Sequence, residues 1–333
     1  MNIEVSNEEI KSSNEETENT NKLKVPIPVI LLLLVILALS MIGMLRFPQV
    51  LKDYKVYKTA KERIQNGETA DTLFDLYDLA EKYPDSLPII IRTVEQSLEN
   101  GYYEQAAYIH DTYMVGKTLS DSLYDWTNMY ISWLDKYFNT LEQINIIYEE
   151  SAVEEIGSYD YDNIRKELNS QLYKEAYNHA VVYYYLAMID ESIDNAIDYL
   201  EKGYEIDPNC FDTRVQLGLR YRRNRDFKKA RAFANEALSK DKSDPGALRS
   251  IAILDLLEGN LEEALVNAEA AYDSYSDGVF VRDTYMIVLF FNGMNEEANI
   301  IKSEIVEVSG SIDEDTQELL DGKITLEELY VEG

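Results

Sequence analysis

Residues 211–244 read Phe211-Asp-Thr-Arg-Val-Gln-Leu217-Gly218-Leu219-Arg-Tyr221-Arg-Arg-Asn-Arg-Asp-Phe227-Lys-Lys-Ala230-Arg-Ala-Phe233-Ala234-Asn-Glu-Ala237-Leu-Ser-Lys-Asp-Lys-Ser-Asp244. This stretch is one period of a repeat. Ala230 recurs 34 residues on as Ala264 and again as Ala298, and 34 residues back as Ala196. Leu217, Ile251 and Tyr285 form a second column on the same period, as do Gly218 with Ala252, Ala237 with Ala271, and Gly259 with Gly293. Upstream, Asn66-Gly67 and Asn100-Gly101 keep the spacing. Small residues at fixed positions let two helices approach closely. Glycine just past a helix supplies the positive φ that a tight inter-helix turn needs. One such hairpin cannot bury its apolar face alone, so hairpins must stack.

The columns Leu217-Gly218-x-x-Tyr221, Ala230 and Ala237, with the closing Asp207-Pro208-Asn209 of the preceding unit, resemble the tetratricopeptide repeat. The resemblance implies an all-α fold, an α-solenoid of stacked helix–turn–helix units with a groove that binds protein or peptide. Arg214 and Ala234 depart from the pattern, standing where large apolar residues are usual, and Phe233 is the neighbour expected to fill that space. Two degenerate repeats are expected over 53–120, an irregular helical insert over 121–176, four repeats over 177–312 and capping helices over 313–333. The insert holds both tryptophans, Trp126 and Trp133. The run from Tyr159 to Ile189 lacks Gly and Pro and predicts one helix of about 30 residues. Asp321-Gly322-x-Ile324 followed by Glu328 looks like half a calcium loop, but Gln317 and Leu319 stand where ligands are needed. A helix stop at Gly322 and a new start at Thr325 with Glu328 as its capping partner explain it better.

Ahead of the array, Val25–Leu45 carries no charge. At 1.5 Å per residue it spans about 30 Å, a bilayer's hydrocarbon thickness. A transmembrane helix is therefore expected over 25–46, behind a disordered acidic tail at 1–24. Lysines and arginines flanking the span are more numerous on its C-terminal side, which alone would leave the array in the cytoplasm. The arrangement also resembles bacterial membrane-anchored repeat proteins whose array lies outside the cell. The expected placement, cell membrane with an extracytoplasmic array, follows that resemblance.

Of the 333 residues, 62 are Asp or Glu and 31 Lys or Arg, a net charge of −31. This disfavours nucleic acid, whose phosphates are neutralised by basic side chains. One cysteine and two histidines exclude a disulfide framework and a cysteine-based zinc site. No nucleotide-loop, zinc-protease or nucleophile-elbow motif occurs. The reading is non-enzymatic, with no cofactor. His110, His179 and Cys210 are expected to be packing residues.

Two features remain for recognition. Tyrosine numbers 26 and includes Tyr183-Tyr184-Tyr185. Residues 211–232 carry Arg214, Arg220, Arg222, Arg223, Arg225, Lys228, Lys229 and Arg231 against Asp212 and Asp226. The family's groove-facing positions, carried onto this chain, are Val181, Tyr185, Val215, Leu219, Arg222, Arg223, Arg249, Ile253 and Asp283. With Val215 and Leu219 at columns that hold Lys and Asn in chaperone-binding members, that specialised activity is not expected. The function read from the sequence is a protein-binding scaffold beside a membrane. The alternatives are an accessory subunit of an envelope- or wall-processing enzyme complex, or a structural spacer.

Overall fold

The computed structural model describes residues 26–117, 120–153 and 158–332, apart from the side chains at 42–45 and 121–124. The expected tail at 1–24 lies outside them. The chain divides into two compact units, Met1–Tyr54 and Lys55–Gly333.

Helix α1 (Ile27–Gln65) begins in the first unit. Its large apolar side chains from Ile27 to Met41 are all exposed. Among the described residues no single helix is long and apolar enough to cross a membrane; the bent pair Ile27–Met41 and Arg46–Gln65 meets that test only when taken together.

The second unit is built of antiparallel helix pairs. The end of α1 pairs with α2 (Thr69–Lys82) through Ala60, Ile64, Leu73 and Leu76. Then follow α3 (Leu87–Glu99) with α4 (Tyr103–Tyr113), and α5 (Asp121–Glu150), a 30-residue helix. The later pairs are α7 (His179–Ile189) with α8 (Ile193–Ile206), α9 (Thr213–Arg223) with α10 (Phe227–Lys240), α11 (Pro245–Glu258) with α12 (Leu261–Ser274), and α13 (Val279–Phe291) with α14 (Asn295–Ser309). No β-strand occurs among the described residues, so the second unit is an all-helical repeat solenoid. Its core is a succession of clusters in which each hairpin packs on the next, as stacking requires.

The small columns sit where helices meet. A Cβ on Gly218 would lie 3.3 Å from the Ala230 carbonyl, and one on Gly203 3.3 Å from the Ala180 carbonyl. Gly67, Gly101, Gly259 and Gly293 turn between paired helices with φ of +76 to +86°. Polar caps start the helices: Asp226 accepts from the Lys229 N–H at 3.0 Å and Asp244 from the Ala247 N–H at 2.9 Å. Phe233 fills the space beside Ala234 by stacking on Tyr221, 5.7 Å between centroids. Arg214 at the other unusual position pairs with Glu236 at 2.8 Å and covers the Tyr204 ring.

The single long helix expected over Tyr159–Ile189 is corrected to two, α6 (Tyr161–Gln171) and α7, joined by a turn. The cause is Asn178. Its side chain accepts from the N–H groups of Ala180 and Val181, at 3.0 and 3.4 Å, and its own N–H donates to Thr140 Oγ1 at 2.8 Å. This is a helix start locked against α5, and no glycine or proline is needed for it.

The inserted helices bring the two runs of repeats together. The Lys242 N–H donates to the Gly67 carbonyl at 3.1 Å, and Asn209 Nδ2 to the Glu99 carbonyl at 2.8 Å. Thr69 donates to the Lys240 carbonyl, and Tyr103 to Asp207. An aromatic stack of Tyr103, Trp133, Tyr137 and Phe211 lies behind these contacts.

At the C-terminus, α15 (Glu314–Leu320) ends at Gly322, φ +71°. Thr325 and Glu328 then cap one another: the Thr325 N–H donates to Glu328 Oε2 at 2.7 Å, and the Glu328 N–H to Thr325 Oγ1 at 3.2 Å. A short π-helix, Glu328–Glu332, follows. It is more than a solvating cap, because Tyr330 is buried against the last repeats.

Candidate partner-binding cavity

Helices α9, α11 and α13 are the first members of three successive pairs, so stacking brings their inner faces together. Between them opens a cavity of about 700 Å³. Val215, Leu219, Arg222 and Arg223 reach it from α9, Arg249 from α11 and Asp283 from α13. Arg220, Gln216, Val279, Phe280, Asp313 and Tyr330 are among the other residues of the wall. Six of the nine residues carried over from the family therefore share one cavity.

The other three lie elsewhere. Val181 and Ile253 are fully buried in core clusters and present nothing to a ligand. Their aliphatic side chains fill gaps between neighbouring helices, so they are corrected from groove to core. Tyr185 sits half-buried in the aromatic stack, 6.0 Å from the Phe211 ring and 6.3 Å from that of Tyr148. Its neighbours are also committed to packing, with Tyr183 on Tyr199 and Tyr184 donating to Asp212 Oδ1 at 2.6 Å.

The cavity's electrostatics are unusual for an acidic chain. Burial pulls the Arg222 guanidinium down to about 10, with Arg249 adding like-charge repulsion. Burial also lowers Arg220 and Arg249 below the ordinary arginine value. Arg222 Nε donates to the Tyr330 carbonyl at 3.1 Å, and its guanidinium faces the Tyr330 ring at 5.8 Å. Arg249 Nε donates to Thr284 Oγ1 at 2.8 Å and to the Phe280 carbonyl at 3.0 Å. Burial raises the Asp283 carboxyl, partly offset by the hydrogen bond from Thr316 at 3.2 Å.

The C-terminal segment also takes part in this site, which the repeat columns alone do not show. Beside the cavity Arg225 binds two of its carboxylates, Glu327 and, at 2.7 Å, Glu332. Arg225 holds a left-handed φ of 61°. It stands 34 residues before Gly259, on the glycine column, and the missing glycine was the signal that could have exposed the role. Residues 319–322 and 324–327 of the same segment also line a more apolar cleft of about 690 Å³ with Phe227, Leu257, Phe290 and Phe291.

Among the described residues no group of three or more His, Cys, Asp and Glu could hold a metal ion. His110 is buried with Nδ1 2.9 Å from Asp111. Cys210 is buried, and burial raises its thiol well above the reactive range.

No family model matches the sequence, and no curated protein does. Among solved structures the chain is similar to a tetratricopeptide repeat protein from Parabacteroides merdae, at 12% identity and TM-score 0.42 over 81% of this chain and 97% of that one. It is similar to YrrB, described as a TPR protein with an unusual peptide-binding site, at 15% identity and TM-score 0.34 over 75% and 98%. It is similar to yeast Tom70 at 11% identity and TM-score 0.37 over 87% and 77%.

Proposed function

We propose that this protein is a non-enzymatic scaffold that binds a polypeptide partner in the cavity between α9, α11 and α13, and that its N-terminal apolar segment holds the array at a membrane. The observation that carries the binding reading is the convergence of six groove positions from three successive helix pairs on one cavity with polar and apolar walls. The anchor rests on a different observation. Ile27–Met41 presents exposed aliphatic side chains along its length, a surface that water does not favour and a bilayer does. The array lies outside the cell in this reading.

Two measurements test it. Leu219→Glu puts a charge into the cavity wall from a half-buried position. It should abolish co-purification of the partner recovered with wild type while leaving helicity unchanged. Equal recovery would remove the cavity from the binding surface. Protease added to intact cells should digest the array and leave the first 50 or so residues protected by the bilayer, about one span plus its tail. An array fully protected in intact cells and cleaved after lysis would place it in the cytoplasm.

A further inference from the structure

The cavity's cations are not closely paired, although Asp283 acts on Arg249 through the field between them. Arg220, Arg222, Arg223 and Arg249 form no ion pair among the described residues, in a chain with 62 acidic and 31 basic side chains. Arginines elsewhere in the array find carboxylates readily: Arg214 takes Glu236, Arg231 takes Asp255 at 2.9 Å, and Arg225 takes Glu332. The difference is not a shortage of acid. Arg222 is only 5% exposed, with a single backbone carbonyl accepting from its Nε. Arg220 Nε is buried with no acceptor at all. Holding several desolvated guanidinium groups side by side is unfavourable unless something negative joins them.

We infer that the cavity takes an acidic segment of the partner polypeptide, with glutamate or aspartate carboxylates seated against Arg220, Arg223 and Arg249. This rests on the reading of the cavity as a polypeptide site. The adjacent C-terminal segment shows the chemistry in miniature. Arg225, one turn beyond Arg222, already holds Glu327 and Glu332 of an acidic stretch that also buries Tyr330. An incoming segment of similar character meets the arginines that this stretch leaves unpaired. Planar guanidinium groups suit carboxylates through paired N–H donors. Phosphate would use the same donors, but Asp283 and Asp313 share the cavity and reduce its positive potential, which favours singly charged carboxylates over a dianion. Leu219, Val279 and Phe280 offer apolar wall for the side chains between the acids.

The test uses the full chain in detergent and a labelled, end-blocked Ser-Glu-Glu-Leu-Glu-Glu-Phe peptide. The inference predicts saturable binding that weakens as salt shortens the Debye length from about 10 Å at 0.1 M to about 3 Å at 1 M. It also predicts at least a tenfold loss when the peptide's glutamates are replaced by glutamine, and a similar loss in Arg220→Gln/Arg223→Gln. Neither arginine touches the C-terminal segment through a hydrogen bond, so helicity and melting should persist in that variant. The glutamine peptide on wild type decides the matter even if the variant misfolds. Equal binding of both peptides, or no binding of the glutamate peptide, overturns the inference. Inorganic phosphate binding more tightly than the glutamate peptide overturns it in favour of a phosphate site. The wider reading stands apart from these outcomes, because the co-purification assay with Leu219→Glu reads loss of the partner whatever the charge of its docked segment.

Discussion

Arg225 combines two opposed effects in one residue. A non-glycine residue at φ 61° carries backbone strain, whereas its side chain ties down Glu327 and Glu332. Arg225→Ala loses the tie and keeps the strain; Arg225→Gly loses the tie and relieves it. The glycine variant should therefore be more stable than the alanine variant by about 1 kcal/mol in urea unfolding, and equal stability would show that the turn is unstrained. Asp283 gives a pH prediction. Its carboxyl is raised above the ordinary 3.8 by burial first, opposed by the Thr316 hydrogen bond, with Asp313 raising and Arg249 lowering it further. The native state thus holds that proton more tightly than the unfolded chain, and stability falls as pH rises through the raised value. Asp283→Asn removes the penalty and keeps an acceptor for Thr316. Its melting temperature should exceed wild type at pH 7, by a margin that narrows as pH approaches 4; a margin independent of pH would mean that Asp283 titrates normally.

At the scale of elements, what could be read from the chain was whatever repeats. The alanine and glycine columns are legible because close helix approach and positive φ each admit few residue types, as Gly218 beside Ala230 and Gly101 at φ +86° show. The α6–α7 break was not legible. It depends on the local cap that Asn178 makes and on its backbone N–H finding Thr140 across 38 residues of sequence, a tertiary contact with no local signature. Val181 and Ile253 were misplaced for a related reason: the insert and the C-terminal segment cover faces that a regular array leaves open. Asn178→Ala removes the cap that separates the two helices and should cost about 1 kcal/mol (range 0.5–2). Chemical denaturation reads this directly, and an unchanged midpoint would assign the break to packing alone.

At the scale of the whole array, the contacts between early and late repeats are the departure from a simple solenoid, in which each unit touches only its neighbours. Gly101 is the tightest of them, since any Cβ there would collide with the Asn209 carbonyl while its φ of +86° already disfavours a side chain. Gly101→Ala should cost about 1–3 kcal/mol and should lower the denaturant slope by letting the two runs of repeats unfold separately. Retention of one steep transition would mean that the runs are coupled through α5 and not through these loops. The claim that the array exists to hold a partner in its cavity is tested most directly by a photo-crosslinking residue placed in living cells at two positions. One replaces Leu219 in the cavity wall, and the other replaces Val266 on α12, which is 66% exposed and lies outside the cavity. A partner held in the cavity gives a discrete crosslinked product from position 219 and none from position 266. The same partner from both positions, or from position 266 alone, would contradict that claim.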